Sequence, residues 1–273
     1  MNLPARPLPP RSGLLGFTLS RNQRYWLLSW LTPLLVFVLW ESASRLGWIR
    51  HQVMPPPSAV LATAWNMTLS GELPVHLGAS LLRAAGGFFI GGLLGFALGV
   101  LTGFSPLAHA LFDRVVQMIR AIPFLALLPL VIVWFGVDES GKIFLVSLAV
   151  FFPIYINTAL GIRQIDPKLL EVARVTRLSR LETVRRIILP GAMPSVLTGV
   201  RYSLATAWLA LVIAETLATS VGIGFLNTDA REFLQTDIIL LTVIIYAAIG
   251  VGADAVARIL ERRFLAWHPN YAR

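Results

Sequence analysis

The sequence predicts an all-α polytopic membrane protein with about six transmembrane helices. Hydrophobic residues make up 56% of the 273 residues and charged residues only 14%, which is more apolar surface than one soluble core can bury. Six apolar runs reach or approach the roughly 20 residues that a helix needs to cross a bilayer core about 30 Å thick. These runs are residues 25–44, 84–104, 111–137, 143–162, 196–219 and 237–257.

The first run has two interpretations. Arg21 and Arg24 precede it and small residues at 42–44 follow it, as in a cleaved signal peptide. The long leader and the tryptophans within the run favour a retained span. A retained first span is therefore predicted, with the signal peptide as the alternative.

Basic residues are distributed as the positive-inside rule requires for six crossings with both termini in the cytoplasm. Most of the 23 Lys and Arg residues fall before the first run, between the fourth and fifth runs, or after the sixth. Arg114 and Arg120 are assigned to the cytoplasmic connection between the second and third runs. The predicted divisions are a cytoplasmic tail at 1–24, a first span with a periplasmic loop at 25–75, a transmembrane core at 76–258 and a cytoplasmic tail at 259–273.

Glycines recur at every fourth position of the second run. This spacing places them on one face of a helix, where they allow another helix to approach at backbone distance. Packing within one subunit is the first interpretation of this stripe, and a subunit interface or a gating role is the second. The stripe consists of Gly87, Gly91, Gly95, Gly99 and Gly103.

Three prolines interrupt the third and fourth runs. Pro123 and Pro129 lie in the third run and Pro153 lies in the fourth. Each proline removes a helical hydrogen bond, so these helices are predicted to bend or break.

The connection at 163–194 is polar and patterned, which predicts a helix–turn–helix module on the cytoplasmic side. Asp166 can cap a first helix with Pro167 at its first position. Ser179 and Glu182 have the spacing of a capping box for a second helix, which Pro190 and Gly191 are expected to end. By periodicity alone, a contact with anionic lipid explains the basic residues equally well. Apolar contacts are expected from Leu169, Leu170, Val172, Ala173 and Val175 in the first helix and from Leu181, Val184 and Ile188 in the second.

Glu171-Val172-Ala173, Arg177 and the segment 187–190 resemble the EAA motif of ABC importer permeases, of the type I class. In that family the loop forms coupling helices that dock on an ATP-hydrolysing subunit. The resemblance implies a coupling loop made of Glu171, Ala173, Arg177, Ser179, Glu182, Ile187, Leu189 and Pro190.

Arg177 stands where the family motif has a glycine. A left-handed conformation there would cost a non-glycine residue about 1 to 2 kcal/mol. The turn between the two helices is therefore expected to differ in shape from the family pattern.

Similarity to the nitrate, sulfonate and taurine branch of these permeases extends over residues 40–271. The segments 54–58 and 132–140 resemble a first outside loop and the end of a third span. The segments 152–158, 189–195 and 230–237 look most like the aliphatic sulfonate permeases. The resemblance implies import of aliphatic sulfonates, with taurine, nitrate or another small anion as the alternative.

The same resemblance implies partners in the bacterial inner membrane. They are ABC ATPase subunits that carry ATP and Mg²⁺, a periplasmic sulfonate-binding protein, a second permease copy and membrane lipid. No cofactor, nucleic acid or ATPase site is expected on this chain. The P-loop-like segment 136–142 is followed by Ile143 where a P-loop has Ser or Thr, and the absence of cysteine and the scattered histidines give no metal site.

Glu215 is an acid within the fifth run, where an ionised side chain costs several kcal/mol unless it is paired or hydrated. A gating or structural salt-bridge role is predicted, with Arg201 or Arg231 as its partner. Arg83 lies near a span end and is expected to snorkel to the interface or to attract anions. An ion-coupled secondary carrier is a less favoured class, because it would need more intramembrane acids than this one.

Overall fold

A computed structural model describes residues 21–217 and 219–267, and this part of the chain contains helices and no strands. Arg6 and Arg11 of the predicted N-terminal tail and the last six residues lie outside the described residues. The helices are α1 Arg21–Arg45, α2 Pro57–Leu69, α3 Glu72–Phe104, α4 Pro106–Arg120, α5 Phe124–Phe135, α6 Glu139–Arg163, α7 Pro167–Val175, α8 Arg180–Thr183, α9 Leu189–Leu217, α10 Ile223–Glu232 and α11 Thr236–Phe264, with a π-helical turn at Val184–Ile188.

The chain divides into two compact units, Met1–Ser58 and Ala59–Arg273. The first unit contains α1, a 25-residue helix at the position of the first predicted span. Near its end Glu41 accepts hydrogen bonds from the Ser58 backbone N–H at 3.0 Å and from the Ser58 hydroxyl at 2.7 Å. These bonds close the loop that follows α1.

The core of the second unit is built from α3, α6 and α9. The glycine stripe of α3 faces α6 so closely that a Cβ at Gly91 would overlap the Ser147 backbone, and one at Gly95 would lie 2.5 Å from the Phe151 carbonyl oxygen. The stripe thus packs within the chain, as its first interpretation predicts. A second close approach, which was not predicted from the sequence, joins α6 to α9 at Gly161 and Gly199.

The third predicted span is broken into α4 and α5, whose axes differ by 99°. The break ends at Pro123, as predicted. Pro129 and Pro153 lie inside continuous helices, so of the two predicted outcomes, a bend or a break, the break does not occur at either residue. Pro153 cannot donate to the Ala149 carbonyl, and Thr206 of α9 donates its hydroxyl to that oxygen at 3.2 Å instead.

Four helical stretches of the described residues are long and apolar enough to cross a membrane: α3, α6, α11 and the stretch from Arg180 to Thr216. The bent pair α4–α5 makes a fifth if it counts as one span. Among the described residues this test thus finds four or five of the six predicted spans, and α1 is not among them. The helix α11 also runs to Phe264, into the segment predicted as a tail.

Two short helices, α2 and α10, lie in connections for which the sequence predicts no helix. Val60 and Met67 of α2 pack with Leu226 of α10 and Leu241 of α11 in a buried cluster. Thr63 of α2 also donates a 2.7 Å hydrogen bond to Asp237 at the start of α11. The connections therefore form a folded layer on the second unit.

Candidate functional site

The predicted cytoplasmic loop forms a helix–turn–helix module. The Asp166 carboxylate accepts a hydrogen bond from the Lys168 backbone N–H at 2.9 Å, and Pro167 occupies the first position of α7. This start is the one predicted from the sequence. The N-cap carboxylate accepts a hydrogen bond from an unpaired N–H of the first helical turn, and the proline has no N–H that would need a partner.

The helix α7 ends in a left-handed turn at Arg177, which has φ of 55°. The Leu178 N–H donates to the Ala173 carbonyl at 2.9 Å, and the Arg177 N–H donates to the Arg174 carbonyl at 3.1 Å. This pair of bonds is the Schellman motif, in which glycine is the usual left-handed residue. The expectation of a different turn shape was wrong, since the arginine adopts the strained conformation.

The second helix begins with the predicted capping box. Ser179 accepts from the Glu182 N–H at 3.3 Å, and Glu182 accepts from the Ser179 N–H at 3.0 Å.

The predicted end of this helix at Pro190 and Gly191 was wrong, because the chain continues through the π-helical turn into α9. The Leu189 N–H bonds to the Val184 carbonyl, five residues earlier. This wider turn carries Pro190, which has no N–H, into the first turn of α9, where no donor is required.

An exposed apolar surface lies on this module, and it is called the coupling surface below. Val175 is 83% exposed and Leu181 is 77% exposed, whereas Ala173 is only 3% exposed. Of the apolar residues of α7 from which contacts are expected, only Ala173 is fully buried and most are exposed. The coupling surface consists of Leu169, Val172, Val175 and Leu181, and Glu171, Arg174, Arg177, Arg180, Arg185 and Arg186 are exposed on the same module.

The end of the module turns toward the helical core. Ile188 and Leu189 line a cleft of about 190 Å³ with Phe96 of α3 and Ile162 of α6. Ile187 and Pro190 are partly buried. The residues predicted for the coupling loop thus divide between an outward-facing part on α7–α8 and a part that contacts α3 and α6.

A buried ionic cluster lies at the opposite end of α9. Glu215 is 2% exposed and accepts hydrogen bonds from Arg83 Nη1 at 2.7 Å, from the Ser80 hydroxyl at 2.8 Å and from the Gly224 N–H at 2.9 Å. All of these donors point at one carboxylate, so its charge is balanced within the protein. Glu215 therefore has the structural salt-bridge that was one of its two predicted roles.

Arg83 connects this carboxylate to α6. It is 6% exposed and donates to Glu139 at 2.5 and 2.7 Å and to the Val221 carbonyl at 2.6 Å. Lys142 donates to the same Glu139 at 3.0 Å. The predictions that Arg83 snorkels or attracts free anions were wrong, because two carboxylates satisfy its guanidinium.

The partners predicted for Glu215 were also wrong. Arg201 pairs with Asp254 and, at 3.5 Å, with Glu261, both on α11. Arg231 donates to Asn227, one turn earlier in its own helix. Spacing along the chain gave no information on these pairs, because Arg83 and Glu215 are separated by 132 residues.

The turn between α9 and α10 is shaped around the Glu215 carboxylate. Gly222 has φ of 142°, and a Cβ there would lie 2.5 Å from the Glu215 carboxyl carbon. Its N–H donates to His76 Nδ1 at 2.9 Å, and the Ile223 N–H donates to Ser80 at 2.9 Å. The signal in the sequence was the pair of small residues, Gly222 and Gly224, shortly after the intramembrane acid.

Comparison with known proteins gives one consistent result. Residues 91–266 match the family described as the binding-protein-dependent transport system inner membrane component. The aliphatic sulfonates transport permease protein SsuC of Escherichia coli (strain K12) is 48% identical over 249 residues, which are 90% of this chain and 95% of that protein.

Two further relatives extend the comparison. The protein of the same name from Bacillus subtilis (strain 168) is 43% identical over 92% of this chain and 91% of its own. The taurine transport system permease protein TauC of Escherichia coli (strain K12) is 34% identical over 87% of this chain and 88% of its own. The chain therefore belongs to the family of inner membrane components of binding-protein-dependent transport systems, the permeases of ABC importers.

Proposed function

We propose that the chain is the permease subunit that forms the translocation pathway of an ATP-driven importer for aliphatic sulfonates. The observation that carries this proposal is the identity of 48% and 43% to two aliphatic sulfonate permeases over at least 90% of the chain. Identity to the taurine permease is lower, at 34%. Taurine, nitrate or another small anion is therefore the second candidate substrate.

The coupling surface is proposed to dock on an ABC ATPase subunit. Apolar side chains as exposed as Val175 and Leu181 are stabilised when a partner removes them from water, at about 25 cal/mol for each Å² buried. The five exposed arginines of the module would form the rim of that interface. ATP and Mg²⁺ are bound by the partner in this proposal, and the permease supplies the motion of its spans.

The remaining parts of the transporter follow the same proposal. A second copy of this chain completes the pathway, and a periplasmic binding protein delivers the sulfonate. Both termini lie in the cytoplasm, an orientation supported by the exposed arginines of α7 and α8 on one side of the bundle. Membrane lipid surrounds the outward-facing apolar side chains of α3 and α11.

Uptake into proteoliposomes tests the proposed function. The chain is reconstituted with its ATPase and binding protein, and uptake of a radiolabelled alkanesulfonate is measured with and without internal ATP. ATP-dependent uptake that excess taurine or nitrate competes for only weakly is expected. Uptake driven by an ion gradient without ATP would overturn the importer assignment, and preferred uptake of taurine or nitrate would overturn the substrate.

Docking of the ATPase is tested by placing a charge on the coupling surface. Leu181→Glu is expected to reduce co-purification of the ATPase, because a carboxylate would be buried against it. Phe233→Glu is the matched control, since Phe233 is also exposed but lies after α10, away from the module. Equal co-purification of both variants would contradict the docking proposal.

A further inference from the structure

A groove of about 430 Å³ opens between the middle of α6 and the middle of α9. It is bounded by residues 149–157 of α6, residues 202–213 of α9 and Phe124 of α5. At about 1.5 Å of rise per residue, this part of α6 begins about 15 Å from one end of the helix and stops about 9 Å from the other. The groove therefore lies at the depth of the bilayer interior.

Arg120 forms one wall of this groove. It is exposed, and within residues 21–217 and 219–267 its guanidinium makes no salt bridge and no hydrogen bond. Arg83 and Arg201, by contrast, are each paired with two carboxylates. The break before α5 places Arg120 beside the residues of α6 that line the groove.

An uncompensated cation at this depth is expensive, and such residues usually face a hydrated pathway and bind a charged substrate. The backbone gives an independent reason for the same reading. The chain turns by 99° between Arg120 and Phe124, and a break in a helix at membrane depth is tolerated where it lines a cavity.

The walls of the groove have the chemistry of an amphiphilic anion. Phe152, Leu209 and Ile213 supply apolar surface, and none of the lining residues is an Asp or Glu. The Tyr202 hydroxyl also makes no hydrogen bond among the residues that the structure describes and can act as a second donor. An alkanesulfonate has the complementary arrangement, with an anionic head that accepts hydrogen bonds and an apolar tail.

We propose that this groove is the transmembrane subsite for the alkanesulfonate during transport, with Arg120 binding the sulfonate oxygens and the apolar wall contacting the alkyl chain. The inference rests on the proposed function and adds the residues that contact the substrate. A guanidinium suits this role because its planar N–H groups can donate two parallel hydrogen bonds to one oxyanion. A lipid chain or the second permease copy in the groove would be the competing occupant.

The absence of cysteine from the chain permits a chemical test. Arg120→Cys is expected to lower the kcat/KM of ATP-dependent alkanesulfonate uptake by about 10- to 100-fold, the loss of a hydrogen bond to a charged group. Modification of the thiol with the cationic 2-aminoethyl methanethiosulfonate, which restores a positively charged N–H donor, should recover uptake, whereas the anionic sulfonatoethyl reagent should not. Arg114→Cys, on the same helix and outside the groove, should respond to neither reagent.

Three results would overturn the inference. They are uptake by Arg120→Cys with wild-type KM, equal recovery with both reagents, and an equal effect at Arg114. If Arg120→Cys does not assemble, Tyr202→Cys leaves the arginine in place, and alkanesulfonate should slow its labelling. An unchanged labelling rate would overturn the placement of the sulfonate in the groove. Failure of the wild-type protein to take up any alkanesulfonate would instead contradict the proposed function itself.

A separate experiment tests the contact between the alkyl chain and the apolar wall of the groove. Leu209→Trp narrows the apolar wall and is expected to lower uptake of long-chain sulfonates more than uptake of methanesulfonate. A uniform loss for all chain lengths would contradict the placement of the tail.

Discussion

Replacing Glu215 by glutamine removes one charge from the ionic cluster and keeps the shape of the side chain. The carboxylate accepts hydrogen bonds from three donors, which are Arg83, the Gly224 N–H and the Ser80 hydroxyl, whose oxygen lies 2.8 Å from both carboxylate oxygens. A glutamine offers only one oxygen, so its NH₂ group must face at least one of these donors. The variant therefore loses both the charge pair and a hydrogen bond in a buried site.

The size of the effect follows from this burial. Removing one partner of a buried, hydrogen-bonded ion pair costs about 3 to 5 kcal/mol, because the other charge remains buried and poorly compensated. Glu139 still contacts Arg83, which favours the lower end of this range. At about 2 to 4 °C per kcal/mol for a chain of this size, a loss of about 3 kcal/mol lowers Tm by about 6 to 12 °C.

Thermal unfolding of the purified protein, followed by tryptophan fluorescence, measures this shift. Asp254→Asn is the matched control, because Asp254 also pairs with two arginines but its side chain is 35% exposed. Exposed ion pairs contribute about 0 to 1 kcal/mol each, so the loss of both pairs should lower Tm by about 8 °C at most, and by less than Glu215→Gln does. The double variant with Arg83→Gln should lose much less than the sum of the two single losses.

A Tm for Glu215→Gln within 2 °C of the wild-type value would refute this reasoning, as would a loss no larger than that of Asp254→Asn. Additive losses in the double variant would show that the two side chains do not interact. Each result bears on the cluster and not on the substrate, because none of these residues lines the transmembrane groove.

Other substitutions test local features of the fold. Arg177→Gly should raise the free energy of unfolding by about 1 to 2 kcal/mol, since the left-handed turn no longer strains a side chain, and Tm measures this gain. Ser179→Ala should destabilise the start of the second helix by about 1 kcal/mol, measured as faster amide hydrogen exchange in α8. Gly91→Ala should destabilise the protein by about 1 to 3 kcal/mol or more, because its Cβ overlaps the Ser147 backbone, whereas Gly250→Ala meets nothing within 4 Å and should not.

Specific outcomes contradict each of these expectations. A lower Tm for Arg177→Gly would mean that the arginine side chain stabilises the loop by more than its backbone strain costs. Unchanged exchange in the Ser179 variant would exclude a contribution of the capping box. Equal Tm values for the two alanine variants would show that α3 and α6 are not in close backbone contact.

Features governed by neighbouring residues were predictable from the sequence. The caps at Asp166 and Ser179 and the glycine periodicity of α3 depend on side chains within one or two turns. The end of the second helix at Pro190 was not predictable, because a π-helical turn allows the proline to enter α9. The continuity of α6 at Pro153 could not be predicted either, since the Thr206 hydroxyl that donates to the free Ala149 carbonyl lies in another helix.

The candidate sites were harder to predict, because they depend on contacts between residues that are far apart in the sequence. The partner of Glu215 is 132 residues away, so spacing favoured the wrong arginines. The groove beside Arg120 also had no local signal, because it arises where a broken helix returns to the middle of α6. For Glu215 the sequence indicated an ionisable residue in a costly environment, whereas Arg120 was assigned to a cytoplasmic connection. In both places only the packing of distant helices decided whether a partner was present.

The π-helical turn gives the module a mechanical consequence. Because it joins α8 to α9 without a gap, the stretch from Arg180 to Thr216 is one helical body of 37 residues, which is about 55 Å long. A tilt of about 5° imposed at its α8 end would displace the opposite end by about 5 Å. That end carries Glu215. Such a displacement would therefore either move Arg83 together with Glu215 or break the salt bridge between them.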